Sequence, residues 1–275
     1  MSFEKLVYIN HQNERFEFGN DGIYVNTTEL RNYQWEAQKR NNYITGFDTK
    51  ISKYKIPVKI ICKTEAETIA AKNKLYEVTE KDVLANEYGK IVIGDYYFKC
   101  FVMQSKKKDY LMSSRYMHNE LTVTTDYPFW VREHKYKFSV GGAEKGGQNL
   151  DYPFDFPYDY KSDMGVTTFA SKSVWTSNFR IVIYGVCTDP EIRINGHLYK
   201  IMGDIGVSEY LTIDSATKEI YLTTNIGNRV NRFNDRYRRS YIFESIPAGM
   251  INALWDGSFA FDLYIMDERR EPKWS

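Results

Sequence analysis

Side chains that commonly bind metals or attack substrates are few in this sequence, and they are widely separated. The four histidines are His11, His118, His134 and His197. No two of them stand at the spacing of a metal-binding pair, and none is next to a cysteine. The three cysteines, Cys62, Cys100 and Cys187, lie in apolar runs and form no C-x-x-C pair. We therefore expect buried reduced thiols, with no metal site, no cofactor site and no disulfide framework.

Carboxylates are more numerous, and several of them lie close to aromatic residues. These are Asp151, Asp155, Asp159, Asp189 and Glu191. A glycosidase uses two carboxylates that face each other across roughly 5–10 Å, a distance that positions in a linear sequence do not specify. Serine and histidine also form no G-x-S-x-G nucleophile motif. The sequence therefore predicts a protein that is not an enzyme.

One segment toward the end of the chain alternates arginine with aromatic side chains. Its candidate contact residues are Arg232, Arg236, Arg238 and Arg239. This composition suits single-stranded nucleic acid or phosphate, and it equally suits bidentate ion pairs with the carboxylates of a neighbouring subunit. Because the net charge of the chain is only +1, there is no general attraction to nucleic acid. We expect interface or ionic contacts here and no specific nucleic-acid partner.

The stretch from 149 to 160 reads NLDYPFDFPYDY and follows a glycine-rich run. Its aromatic residues fall at every second position: Tyr152, Phe154, Phe156, Tyr158 and Tyr160. In an extended chain they would share one face, and Pro153 and Pro157 favour that extended conformation. We interpret the stretch as an interdomain strap whose aromatic face packs against folded domains. The alternative is a platform on which sugar rings of host cell-surface glycans stack.

The most distinct helix signal lies in the first half of the chain. Thr64-Glu65-Ala66-Glu67 matches a capping box, which predicts a helix from there to about Val83. Its thin apolar stripe should lie on a sheet. That stripe consists of Ala66, Ile69, Ala70 and Tyr76.

Strand patterns dominate the rest of the chain. Gly94-Asp95 and Asn195-Gly196 each separate two alternating runs and predict tight hairpins. From about 165 onward, short strands at close spacing predict a β-sandwich. We therefore predict a mainly β protein with an N-terminal α+β domain over residues 1–133, a glycine-rich and aromatic linker over 134–164, and a C-terminal sandwich over 165–275.

The overall composition fits two ordinary domains. The chain has 275 residues, of which 43% are hydrophobic, enough for two cores. It contains no apolar run of the length that a signal peptide or a membrane span needs. We therefore expect a protein that is made in a cytoplasm and has no membrane partner.

Both ends of the chain carry residues that resemble a known family. These residues form the segments FEKLVYIN (3–10), FEFG (16–19), SYIFESIPAG (240–249) and REPKW (270–274). Together they resemble the distal tail (Dit) proteins of long-tailed bacteriophages and prophages. The similarity covers nearly the whole chain, and it rests on structural residues without a catalytic motif.

The resemblance implies a fold, a function and a set of partners. It implies that the N-terminal α+β domain forms a ring, usually a hexamer, and that the C-terminal sandwich is galectin-like. Such a protein is a structural hub of the tail tip or baseplate, which joins the tail tube protein to the tail-associated lysin or tip protein and to the receptor-binding apparatus. It would reside in the virion tail after assembly in the host cytoplasm. The alternative function is a carbohydrate-binding β-sandwich protein that recognises host glycans.

Overall fold

A computed structural model describes residues 5–20, 22–109, 115–141 and 165–274. The chain forms two compact units, one comprising Met1–Arg132 with Glu268–Ser275 and the other Glu133–Asp267. The structure is mainly β with large antiparallel sheets, which confirms the predicted fold class.

The first unit combines a long antiparallel sheet with one helix and a separate hairpin. Its elements are β1 (Leu6–Ile9), β2 (Arg15–Phe18), β3 (Ile23–Val25), β4 (Glu36–Arg40), β5 (Tyr43–Asp48), β6 (Ser52–Ile61), α1 (Glu65–Ala85), β7 (Gly89–Ile93), β8 (Tyr96–Asp109), β9 (Tyr116–Thr125) and the start of β10 (Trp130–Phe138). The sheet runs β2-β1-β7-β8-β9-β6-β3, because the long strand β8 pairs with β7 through its first half and with β9 through its second. Among the described strands, β4 and β5 pair only with each other.

The helix α1 begins where the capping box predicts. The Thr64 hydroxyl accepts from the Glu67 backbone N–H at 3.2 Å, and the Glu67 carboxylate accepts from the Thr64 N–H at 3.3 Å. The helix ends at Asn86, which adopts a left-handed conformation with a φ of 54°. A tight turn at Gly94-Asp95 then joins β7 to β8, also as predicted.

The face of α1 that packs on the sheet is not the predicted one. The helix buries Thr68, Ala71, Leu75, Val78, Thr79 and Asp82. Ile69 and Tyr76, which the sequence pattern directed toward the sheet, are instead exposed. The prediction followed the apolar residues alone and was wrong, because the buried face also includes polar side chains. Thr68 and Thr79 can be buried there since their hydroxyls donate to carbonyls four residues earlier, at 2.9 and 2.8 Å.

The second unit is a sandwich of two sheets around a single apolar core. Besides most of β10, its elements are β11 (Gly165–Ala170), β12 (Phe179–Tyr184), β13 (Cys187–Thr188), β14 (Glu191–Ile194), β15 (His197–Lys200), β16 (Asp204–Ile205), β17 (Tyr210–Asp214), β18 (Glu219–Thr223), β19 (Arg229–Asn231), a 3-10 turn (Phe233–Asp235), β20 (Met250–Trp255) and most of β21 (Ala260–Arg269). One sheet runs β19-β18-β17-β12-β21-β10 and the other β11-β20-β14-β15. Asn195 and Gly196 form the predicted β14–β15 turn with positive φ angles of 48° and 84°.

Two boundaries differ from those expected from the sequence. The strand β10 occupies the first residues of the expected linker, because Phe138 is buried and stacks on Phe261 at 4.3 Å in the core of the second unit. The last residues, expected in the second domain, belong to the first unit. Their contacts there join positions that are far apart in sequence. Arg270, for example, contacts Pro128 across a sequence separation of 142.

Candidate functional site

The C-terminal segment of the first unit holds the base of the β4–β5 hairpin. The Arg270 guanidinium donates to the carbonyls of Pro128 and Gln34, at 2.7 and 2.9 Å. It also lies 4.9 Å from the ring centre of Trp35 and 5.3 Å from that of Phe129, distances at which a cation is attracted to an aromatic face. Burial lowers the pKa of Arg270. One arginine thus ties together three segments that are far apart in sequence.

A second arginine, in the N-terminal part of the unit, contacts the same C-terminal segment. The Arg31 guanidinium lies 3.7 Å from the ring centre of Trp274 and donates to the Pro272 carbonyl at 2.8 Å. It also pairs with Glu271 at 3.5 Å. The REPKW segment that carries part of the family resemblance therefore acts as a clamp on residues 31–35 of the first unit.

The hairpin that extends from this clamp, β4 with β5, is hereafter the arm. Asn41 and Asn42 form its turn with φ angles of 48° and 65°, the left-handed pair that a tight two-residue hairpin requires. Thr45 is an extra residue in β5 opposite the step from Gln38 to Lys39. This bulge brings residues 44 and 47, which would otherwise point to opposite sides, to one face.

The arm presents apolar side chains to solvent. Ile44 and Phe47 share the face created by the bulge and are 58% and 64% exposed, and Tyr43 beside the turn is 77% exposed. The base of this face is anchored through an edge-to-face contact of Phe47 with Trp35 at 6.4 Å. Exposed apolar residues gathered on one projecting element are typical of a protein interaction surface.

The helix α1 carries a second exposed apolar surface, hereafter the outer stripe. It consists of Ile69, Tyr76, Val83 and Leu84. The first three are seven residues apart, so they lie along one line of the helix. The Tyr76 hydroxyl donates to the carboxylate of Glu80, about one turn further along the helix, at 2.5 Å.

The opposite, core-facing side of α1 ends in a buried polar network. The Asp82 carboxylate is fully buried and accepts from the Tyr8 hydroxyl at 2.6 Å and from the His11 backbone N–H at 2.8 Å. The same carboxylate lies 2.6 Å from the His11 ring nitrogen Nδ1. Burial, and then the neighbouring Cys100 and Asp82, raise the pKa of Tyr8. Each polar group of this network has a partner, which is what a stable buried carboxylate requires.

No family model and no curated protein sequence matches the chain. Solved structures do. The chain superposes on SPP1 Dit (gp 19.1), described as a paradigm of the hub adsorption apparatus in phages that infect Gram-positive bacteria, with a TM-score of 0.57 and 8% identity over 96% of this chain and 99% of that one. It is also similar to a chain of the phage P2 baseplate in its activated conformation with Ca, with a TM-score of 0.64 and 11% identity over 99% and 100% of the two chains. The same baseplate with Sr gives 0.62 and 11% over 98% and 99%.

The chain has a Dit-like fold. With 8–11% identity, the likeness is one of backbone architecture, and it extends over both units. The clamp is one of the segments that carry the sequence resemblance, and its residues Arg270 and Trp274 contact Pro128 and Arg31.

The four arginines predicted as contact residues lie around the 3-10 turn in the second unit of the Dit-like fold. Arg232 forms an ion pair with Asp235. Arg236 donates to the Phe233 carbonyl at 2.7 Å and lies 4.0 Å from the centre of its ring. Arg238 and Arg239 are exposed and have no hydrogen-bond or ion-pair partner within the described part of the chain. Two of the four therefore stabilise their own loop, and two are available to a partner.

The aromatic strap lies outside the described residues. This applies to all five of its predicted packing residues: Tyr152, Phe154, Phe156, Tyr158 and Tyr160. The interpretation of these residues as an interdomain strap stays a prediction.

The described residues contain no cluster of three or more histidine, cysteine or carboxylate side chains that could hold a metal ion. The three cysteines are free thiols. Burial raises the pKa of Cys100, and it raises that of Cys187 to about 11, so both thiols are protonated at neutral pH. No helix in the described ranges is both long enough and apolar enough to cross a membrane.

The sequence analysis did not identify the arm or the outer stripe as functional surfaces. A signal for the arm was present, because Asn41-Asn42 stands between two runs of strand-forming length and suits a tight hairpin turn. The outer stripe was visible as Ile69 and Tyr76 but was assigned to the core. The clamp had no signal, since contacts such as that of Arg31 with Trp274 join the two ends of the unit's sequence.

Proposed function

We propose that this chain is a structural hub protein of a phage or prophage tail tip or baseplate. The observation that carries the proposal is the Dit-like fold, which spans 96–99% of this chain and 99–100% of the solved tail and baseplate chains. A likeness over both units supports a shared architectural role more than a likeness of one common domain would, because single domains are reused for many functions.

In this role the chain forms a homo-oligomeric ring, a hexamer, that connects the tail tube protein to the tail-associated lysin or tip protein and to the receptor-binding protein. It acts without catalysis, in the virion tail, after assembly in the host cytoplasm. The arm and the outer stripe support the ring. A closed ring of identical subunits needs two different, complementary patches on every subunit, and the first unit carries two exposed apolar surfaces of different shape.

Native mass spectrometry of the full chain, with negative-stain imaging of the same sample, tests this function. We expect closed ring particles with the mass of six chains, or their formation when the tail tube protein from the same source is added. A chain that stays monomeric at concentrations of tens of micromolar, and that binds neither the tube protein nor the tip protein, would contradict the proposal.

The carbohydrate-binding alternative depended on aromatic residues 152–160, which lie outside the described residues, and no described contact favours it. A glycan array with host cell-wall polysaccharide separates the two functions. If the chain is a hub, Tyr158→Ala should not abolish any glycan binding that is observed. Binding that is lost in this variant would favour the alternative.

A further inference from the structure

The described part of the first unit has two apolar surfaces that are exposed in a single copy of the chain. The arm presents Ile44 and Phe47 on one face, and α1 presents the outer stripe. Their exposure is that of a single chain, so the arm of one copy does not lie on the outer stripe of the same copy. Within the described ranges, nothing of the same chain covers either surface, so each is open to another molecule.

The tip of the arm is positively charged. Lys39 and Arg40 are the last residues of β4, directly before the turn, and both are exposed. Within the described ranges, neither has a hydrogen-bond or ion-pair partner. The other cation of this region, Lys50, is already paired with Glu36 at 2.5 Å. The uncompensated positive charge is therefore concentrated beside the exposed Tyr43 ring.

The C-terminal half of α1 has the opposite charge. Glu77 of this half and Glu87, just beyond the end of the helix, are exposed, and their carboxylates have no cationic partner among the described residues. The last turn of α1 contains no basic residue, so the partial negative charge at the helix C-terminus is not compensated there by a side chain. Lys81, the nearest cation in sequence, is held by Glu14 at 2.6 Å.

We propose that the arm of one copy docks on the outer stripe of a neighbouring copy of this chain. Ile44 and Phe47 pack against Tyr76, Val83 and Leu84, and the basic tip of the arm lies beside the acidic end of α1. Apolar face meets apolar face, and positive rim meets negative rim, which is the complementarity that selects a partner and fixes its register.

A contact between two different patches of the same chain is heterologous. Repeated around an axis, it closes into a ring, or it continues as an open filament if the rotation does not close. The inference rests on the proposed function and makes it specific, because it names the two surfaces that meet at every subunit boundary. It assigns the first unit, not the second, as the source of this contact.

Charge reversal on each side of the contact provides the test. One variant carries Lys39→Glu and Arg40→Glu on the arm, and another carries Glu77→Lys on α1 and Glu87→Lys just after its C-terminal end. A third carries all four substitutions, so that opposite charges again meet at every boundary. The matched control replaces two exposed lysines of the second unit, Lys137→Glu and Lys172→Glu. Thermal unfolding of each monomer establishes that every variant is folded.

Self-association is measured by sedimentation velocity across protein concentration at low and high salt. We expect each two-site reversal to weaken association about tenfold or more, the four-site variant to recover to within about threefold of the wild type, and the control to match the wild type. Reversals that behave like the control, in a wild type that does associate, would overturn the docking and leave the hub function intact. If the wild type associates only after the tail tube protein is added, the same variants are compared in its presence. A wild type that associates neither alone nor with the tube or tip protein would overturn both.

Discussion

The two faces of α1 contrast in an unusual way. The face against the sheet buries two threonines and an aspartate along with Ala71, Leu75 and Val78, whereas the face toward solvent exposes Ile69, Tyr76, Val83 and Leu84. The usual amphipathic arrangement places apolar residues inside and polar residues outside. Here the apolar residues are divided between the two sides.

The contrast shows that each face meets a different requirement. The polar groups on the core face are tolerated because each has a hydrogen-bond partner, such as the Leu75 carbonyl for Thr79 and the Tyr8 hydroxyl for Asp82. On the outer face the Tyr76 hydroxyl donates to Glu80, but the large apolar side chains there are exposed, and leaving such side chains in water gives no stability to the monomer. The core face therefore serves folding, and the outer stripe is available for assembly.

The strongest test of the core face is Gly89→Ala. A Cβ atom at Gly89 would collide with the buried Tyr8 hydroxyl and the Asp82 carboxylate. Breaking this buried network should lower the free energy of unfolding by about 3–5 kcal/mol, as measured by urea denaturation. The control is Gly94→Ala, where a Cβ would meet nothing within 4 Å and only the positive φ of 55° costs about 1–2 kcal/mol. Equal losses in both variants would show that the network is not tightly packed.

Two leucines of the same helix compare the faces directly. Leu75 is 4% exposed on the core face, and Leu84 is 78% exposed on the outer face. We expect Leu75→Ala to lower the free energy of unfolding by about 3 kcal/mol and Leu84→Ala to change it by less than about 0.5 kcal/mol. Denaturation of dilute monomer measures both. A large loss for Leu84→Ala would mean that the outer stripe is covered within one chain.

The tyrosines of the two faces should differ at alkaline pH. Burial raises the pKa of Tyr8 above its usual 10.0, so its contribution to stability is complete below pH 10 and is lost as the pH rises toward the folded-state value. Above pH 10, the free energy of unfolding of the wild type should fall more steeply than that of Tyr8→Phe, by about 1.4 kcal/mol per pH unit.

Tyr76→Phe provides the matched control for this slope. The hydrogen bond to Glu80 raises the pKa of Tyr76, but the side chain is exposed on the outer stripe, and water screens such a contact. We expect a smaller change of slope than for Tyr8→Phe in the same pH titration of denaturant unfolding. A larger change for Tyr76 would reverse the assignment of the two faces.

Much of the fold was predictable because its signals are local. The capping box at Thr64 and the turn at Asn195-Gly196 depend on neighbouring residues, and both lie where the sequence predicts. The orientation of α1 was not predictable in this way, because the partners of Asp82 come from the distant residues Tyr8 and His11. Apolar residues of the helix lie on both its core face and its outer face, so their periodicity does not distinguish a core surface from an interface.

The candidate surfaces show the same division between local and distant information. The turn of the arm could be inferred from Asn41-Asn42, but its exposed face depends on the bulge at Thr45, which only the strand register reveals. The clamp of Arg31 on Trp274 brings together positions near opposite ends of the chain. Pairings of this kind follow from the completed fold, and no short sequence pattern specifies them.

The smallest effect on stability should accompany a large effect on assembly. Replacing Ile69 and Leu84 by serine removes apolar area from the outer stripe but no contact of the core, so the free energy of unfolding of the monomer should change by less than about 1 kcal/mol. Self-association, followed by sedimentation, should nevertheless weaken about tenfold or more, because buried apolar side chains contribute most of the energy of such contacts. The same substitutions would leave association unchanged if the outer stripe faced solvent in the assembled protein, and the two faces of α1 would then differ in composition without differing in function.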